Sequence, residues 1–213
     1  TSAPRPVGAE ASLTPGGALT GDDYSCQSER ATCDDSDAHK ARRLARKRRG
    51  RGDHFLDAVS KDVVAECAAR NVGTIAVGDL SGIREDADWG DHGNLDLHGW
   101  AFDRFIEMLE YKAAERGISV ELVDERGTSK SCASCGTTDD SQRVERGLYV
   151  CDECGVVANA DVNGAENIRQ KVLPNLVCDG GDRDNGWMAQ PAVRLFDKST
   201  GQVAPQEWAS REP

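Results

Sequence analysis

Four cysteines and one carboxylate carry the clearest chemical signal in this chain. Cys132 and Cys135 form a CxxC pair in TSKSCASCG, and Cys151 and Cys154 form another in YVCDECG. Fifteen residues lie between the pairs, within the spacing of four-cysteine zinc sites. Two knuckles that each present two thiolates complete a tetrahedral Zn²⁺ and leave no open position, so such an ion holds shape and does no chemistry. The alternative is a pair of reactive dithiols. Asp161 comes next in NADVNGAENI, where a helix is expected to start. An acid at that place is either a helix cap or a ligand aimed off the helix end, and the sequence leaves both open.

Further carboxylates stand where strands should end. Asp79 closes the run TIAVGD, and Asp124 and Glu125 lie just beyond Val123. Carboxylates gathered at strand ends and a helix start can hold two Mg²⁺ or Mn²⁺ ions for phosphodiester hydrolysis. Taken alone, Asp79 reads as a strand-end turn residue. His39, His54, His92 and His98 have no ligand spacing and read as surface residues.

The chain has 213 residues, 37 of them acidic and 26 basic, for a net charge of −11. An acidic surface repels a polyanion, so overall charge argues against nucleic acid. The basic residues are unevenly spread, however. Lys40, Arg42, Arg43, Arg46, Lys47, Arg48, Arg49 and Arg51 fall in one stretch with no acid among them. That stretch reads either as a solvated helix end or as a nucleic-acid contact, and the absence of interleaved acids favours contact. Lys130, Arg143 and Arg146 give the cysteine segment a basic edge suited to phosphates. The surplus acids suit a protein adapted to high salt. No apolar run is long enough to cross a membrane, and the first residues lack the pattern of a secretory signal. Cys26, Cys33, Cys67 and Cys178 read as free thiols in a reducing cytoplasm, with a Cys26–Cys33 disulfide or metal half-site as the alternative.

Hydrophobic periodicity supplies the elements that must position these groups. Residues 1–38 are irregular, with at most a short strand over Gly17–Thr20. A helical pattern begins near His39, and after Gly52 it becomes amphipathic, with Phe55, Val59, Val63 and Cys67 on one stripe of a helix over 53–70. Asn71-Val72-Gly73 closes it. Thr74–Leu80 reads as a buried strand, Ser81–Asn94 as a polar loop, and Leu97–Arg116 as a helix with an apolar face of Phe102, Phe105, Ile106, Leu109 and Ala113, capped by Gly117. Ile118–Val123 alternates as a strand, and a helix from Asp161 to Val172 succeeds the cysteine segment. The order is that of an α/β domain with a ribbon set in before its last helix. Residues 174–213 read as a flexible tail.

These segments resemble a known family. TIAVGDLSGIRED, TSKSCASCG, GLYVCDECG and NADVNGAENI are similar to the C-terminal half of TnpB/OrfB transposon-associated proteins over about residues 39–172. The resemblance implies an RNA-guided DNA endonuclease related to type V CRISPR effectors. Its fold would be an RNase H-like RuvC core, incomplete at the N-terminus, divided by a four-cysteine zinc ribbon. The implied divisions are a partial core over 39–126, the ribbon over 127–157 and the last helix over 158–173. Implied partners are DNA, a guide RNA derived from the transposon end, and a companion transposase, with a place in the cytoplasm at the nucleoid and a haloarchaeal source. Family members use three acids on metal ions. Asp161 matches the third, and the first would lie upstream of Thr1. The second acid falls at Gly78, which has no ligand atoms, so Glu125, Asp79 or Glu85 would have to substitute. The competing expectation is a non-catalytic zinc-ribbon module that binds nucleic acid, and a remnant that keeps only its folding metal is a third.

Overall fold

Two short β-branched runs, each opened by a small polar residue, form a parallel pair. In the computed structural model these are β2 (Thr74–Asp79) and β3 (Ser119–Asp124), in register from Thr74↔Ser119 to Asp79↔Asp124. The structure describes residues 11–17, 28–29, 38–79, 95–144, 147–172 and 186–206, and they divide into two compact units.

The first unit contains β1 (Ser12–Leu13), β2, β3, the cysteine segment and the stretch from there to Ala192. The hairpin of β4 (Leu148–Val150) and β5 (Val157–Asn159) leads into α3 (Ala160–Val172), which packs against β2, β3, β4 and β5. The core of this unit gathers Cys132, Tyr149, Cys151, Val156, Ala158, Ala160 and Val162, with Met188 from the short helix α4 (Gly186–Ala189). β2 differs from expectation. It is half-buried along its whole length, and Leu122 on its neighbour is 52% exposed. A strand of a parallel sheet is buried only when helices cover both faces.

The second unit is built on α1 (Ala38–Ala69) and α2 (Leu95–Ala114). The basic stretch and the amphipathic stretch expected over 53–70 are one element. Gly50 and Gly52 lie inside one helix of 32 residues, and Gly52 is buried. Its first half carries all of the basic run but the half-buried Arg48 on exposed positions, with only Leu44 buried among them, so that a charged rod continues directly into an amphipathic one. Phe55, Leu56 and Met108 form the core between the helices, with Val59 and Phe105 packed against it. Lys112 satisfies all three ammonium donors at 2.7 Å on Asp57 O, Asp57 Oδ1 and Ser60 Oγ. Asn71 adopts φ +55°, the left-handed turn that ends α1.

The C-terminal segment also differs from expectation. β6 (Ala192–Asp197) and β7 (Gln202–Pro205) form an antiparallel hairpin. Arg194 pairs bidentately with Asp62 at 2.7 and 2.5 Å, and Phe196 meets Phe55 edge-on with ring centroids 5.3 Å apart. Isolated aromatics in a Gly- and Asp-rich segment gave no period to read, yet one of them anchors it. β1 was not expected; of the short strand expected at Gly17–Thr20, residues 18–20 lie outside the described residues.

Candidate functional site

The two knuckles are built alike. Gly136 N donates to Cys132 O at 2.8 Å and Gly155 N to Cys151 O at 2.9 Å, both glycines at φ between +71° and +79°. That conformation suits glycine and turns the chain so that both thiols of a pair face inward. The four Sγ atoms lie within 4.8 Å of one another and can hold a metal ion. Cys132 and Cys151 are 1% exposed, whereas Cys135 and Cys154 lie at the surface. Cys132 to Cys154 is 3.7 Å and Cys135 to Cys151 is 3.6 Å, far longer than a disulfide. The environments divide the pairs. Burial pushes the Cys132 thiol up to about 12, while the Thr137 hydroxyl 3.4 Å from Cys135 Sγ brings that thiol down to about 6.

Three amides on α3 fasten the first knuckle to the helix. Asn163, fully buried, donates from Nδ2 to Ser131 O at 2.7 Å and accepts at Oδ1 from Ala133 N at 2.9 Å. Asn167 Nδ2 donates to Thr128 O and Ser131 O, and Gln170 Nε2 donates to Ala133 O at 2.9 Å. Positions 163, 167 and 170 share one helix face, and that spacing is the signal sequence reasoning passed over.

Asp161 sits one residue into α3, but it does not cap the helix. Asn159 does, its Oδ1 accepting from Asp161 N at 2.9 Å and Val162 N at 3.2 Å. The Asp161 carboxylate is 68% exposed and lies 3.8 Å from Arg143 of the ribbon. Asp79 and Asp124 face each other across the parallel pair at the ends of β2 and β3, with Glu125 next in the chain. Burial raises the Glu125 carboxyl above its ordinary range, and the charges of Asp79 and Asp124 add to this against Lys171. Among the described residues only the four cysteines converge tightly enough to form a metal-holding group; Asp79, Glu125 and Asp161 do not. Lys40, Arg42, Arg43, Arg46, Lys47, Arg49 and Arg51 are exposed on α1, Arg48 is half-buried, and Lys130 is exposed on the ribbon. Glu85, Cys26, Cys33, Cys178, His92 and Arg146 lie outside the described residues. Among the described residues no helix is long and apolar enough to cross a membrane.

A four-cysteine ribbon between a parallel strand pair and the helix that packs on it defines a class of α/β protein. Residues 102–168 match the family model "Cas12f1-like, TNB domain". The chain is 35% identical over 117 residues to a CRISPR-associated endodeoxyribonuclease Cas12f1 of Sulfoacidibacillus thermotolerans, covering 55% of this chain and 26% of that protein. It is 32% identical over 120 residues to a TnpB-like protein of Methanocaldococcus jannaschii, covering 56% and 42%. With the putative RNA-guided DNA endonuclease InsQ of Escherichia coli it shares 35% identity over 117 residues, covering 52% and 29%. Among solved structures, a Cas12f1–sgRNA–target DNA complex matches at TM-score 0.58 and 21% identity over 72% of this chain and 42% of that one, which shows the fold. Over about half of its length the chain is thus similar to TnpB-like and Cas12f1 proteins. It spans less than half the length of these relatives.

Proposed function

We propose that this chain carries the DNA-cutting domain of a transposon-associated, RNA-guided endonuclease. Asp161 supports this reading most directly. It stands at the family's third acidic position, Asn159 relieves it of capping, and its carboxylate is 68% exposed beside an arginine. Mg²⁺ or Mn²⁺, when bound by such carboxylates, polarises water and the leaving oxygen for phosphodiester hydrolysis. Asp161 would hold that ion, with Asp79 and Glu125 supplying carboxylates from the sheet edge. Arg143 would draw a backbone phosphate toward Asp161.

The four cysteines take Zn²⁺ on this reading. Bonds of about 2.3 Å in a tetrahedron place thiolates about 3.8 Å apart, close to the 3.7 and 3.6 Å separations here. The exposed basic half of α1, with Lys130, suits contacts to guide RNA and target DNA through phosphates. A companion transposase and a cytoplasmic, nucleoid-associated setting belong to the same proposal.

Cleavage of single- and double-stranded DNA with Mn²⁺, comparing the zinc-loaded protein with Asp161→Ala, tests the reading. A loss of at least tenfold in the variant is expected, and equal cutting by both overturns it. A second reading, a non-catalytic nucleic-acid-binding module, is favoured by Gly78, which offers no ligand, and by the separation of the three acids. DNA binding without cutting by either protein is its signature.

A further inference from the structure

The weakest stretch of α1 lies where its two halves meet. Glycine is the poorest helix former after proline, and Gly50 and Gly52 stand two residues apart inside the helix. On their N-terminal side Arg42 and Arg46, and Arg43 and Lys47, are like charges one turn apart, which oppose the helix. Leu44 is buried there, but the basic positions other than Arg48 are exposed, so packing offsets little of that repulsion. Yet α1 runs unbroken from Ala38 to Ala69. A helix of this composition depends on tertiary contacts.

The C-terminal hairpin supplies contacts immediately beyond the glycines. Phe196 meets His54 and Phe55 edge-on, with ring centroids 5.5 and 5.3 Å apart. Gly201, in the turn between β6 and β7, lies so close to His54 that a Cβ there would stand 2.8 Å from His54 Cε1. His54 is one turn beyond Gly50 on the same side of the helix. The turn that carries Gly201 is internally braced. Asp197 Oδ1 accepts from Ser199 N at 2.8 Å and from Ser199 Oγ at 2.7 Å, and Gly201 N donates to Asp197 O at 2.8 Å. Farther along α1, the mostly buried Arg194 pairs with Asp62 at 2.5 Å and with Glu66 at 3.5 Å. The hairpin thus follows α1 from His54 to Glu66, roughly 18 Å at the helical rise.

We infer that the hairpin of β6 and β7 is a splint for α1. It fixes the helix directly behind its glycine pair and so presents the basic half as a preformed rod to nucleic-acid phosphates. His54, Phe196 and Gly201 are positioning residues in this device and need not touch the nucleic acid. A rod that is already ordered binds more tightly than one that must fold as it binds. The inference rests on the reading of α1 as a phosphate contact and names what that contact requires.

Amide hydrogen exchange on the zinc-loaded chain, alongside anisotropy titration of a fluorescent DNA duplex, tests it. In Gly201→Ala the methyl presses on the His54 ring and strains a turn at φ +68°. Exchange over residues 40–52 is expected to quicken about tenfold, while exchange over α2 stays within about twofold of wild type. Duplex affinity is expected to fall about fivefold with an unchanged salt slope, because no charge has been removed. The space beside Gly50 is open, so Gly50→Ala strengthens the helix without disturbing a neighbour. Added to Gly201→Ala, it is expected to return both exchange and affinity to within about twofold of wild type. Unchanged exchange over 40–52 in Gly201→Ala overturns the inference. Equal quickening over 40–52 and α2 also overturns it, since the hairpin then only stabilises the second unit as a whole. Quickened exchange over 40–52 with wild-type affinity overturns it too. If exchange behaves as expected but the wild-type protein binds no duplex even at low salt, the phosphate reading fails and the splint stands.

Discussion

The buried carboxamide of Asn163 accepts a hydrogen bond from Ala133 N at 2.9 Å, so the first knuckle of the ribbon is fastened to the last helix inside a closed core. The same side chain donates to Ser131 O, and both halves of the amide are satisfied. Removing a buried partner costs more than the bond itself contributes, because the remaining backbone groups lose water and gain nothing. Asn163→Ala should therefore destabilise the first unit by about 2 kcal/mol. Urea denaturation at fixed zinc loading checks this, and faster zinc release to a chelator should accompany it.

Metal uptake by the cysteines should depend on pH with a defined sign. In the metal-free state Cys135 sits at about 6 and Cys132 at about 12, so near pH 7 the first is largely thiolate and the second is not. Binding must then displace protons. Zinc affinity is expected to fall as pH drops from 8 to 6, with net proton release on binding, measured by calorimetry in buffers of different ionisation enthalpy. Cys135→Ser should abolish stoichiometric zinc.

Glu125 should cost stability where the carboxylate is charged. Its folded-state pKa is raised, first by burial and then by Asp79 and Asp124. A raised carboxyl binds its proton more tightly folded than unfolded, so stability falls as pH rises through that window. Glu125→Gln is expected to raise the thermal midpoint at pH 7 and to flatten its decline between acid and neutral pH. A variant less stable at pH 7 than wild type would contradict this.

The basic half of α1 should set the salt dependence of nucleic-acid binding. Replacing Arg42, Arg43, Arg46 and Arg49 by Gln should lower the slope of log affinity against log salt by about 3 to 4. A fluorescence-anisotropy titration at several salt concentrations reads the slope, and an unchanged slope would place the contact elsewhere.

Phe196 should matter to the second unit even though it lies in the Gly-rich C-terminal segment. Its ring meets Phe55 at 5.3 Å and His54 at 5.5 Å. Phe196→Ala should cost about 2 kcal/mol for a half-buried ring, seen as a lower denaturation midpoint.

How much of the molecule is legible in the sequence depends on how local each signal is. The cysteine spacing, the helices of Ala38–Ala69 and Ala160–Val172 and the parallel strands rest on short-range period and turn chemistry, so they could be read directly. Asp161 could be matched by its motif but not freed from the capping reading, because Asn159 assumes the cap only through a geometry two residues away. The hairpin of β6 and β7 escaped notice because its support is distant. Arg194 depends on Asp62, and Phe196 on Phe55. At Gly78 the sequence shows that a ligand is missing, but not that the Glu125 carboxylate lies in the space beside it, a relation no period along one segment contains.

The motif NADVNGAENI combines two duties that can part company. Asp161 faces outward, while Asn163 and Asn167 face the ribbon and hold Thr128, Ser131 and Ala133. Two of the motif's five polar side chains, Asn163 and Asn167, thus serve docking, and a protein that did not cut DNA would still need them to fold. Descendants that keep only nucleic-acid binding should retain both asparagines and all four cysteines while position 161 drifts. On the nuclease reading the signature chiefly marks a shape, and the single aspartate inside it marks the trade.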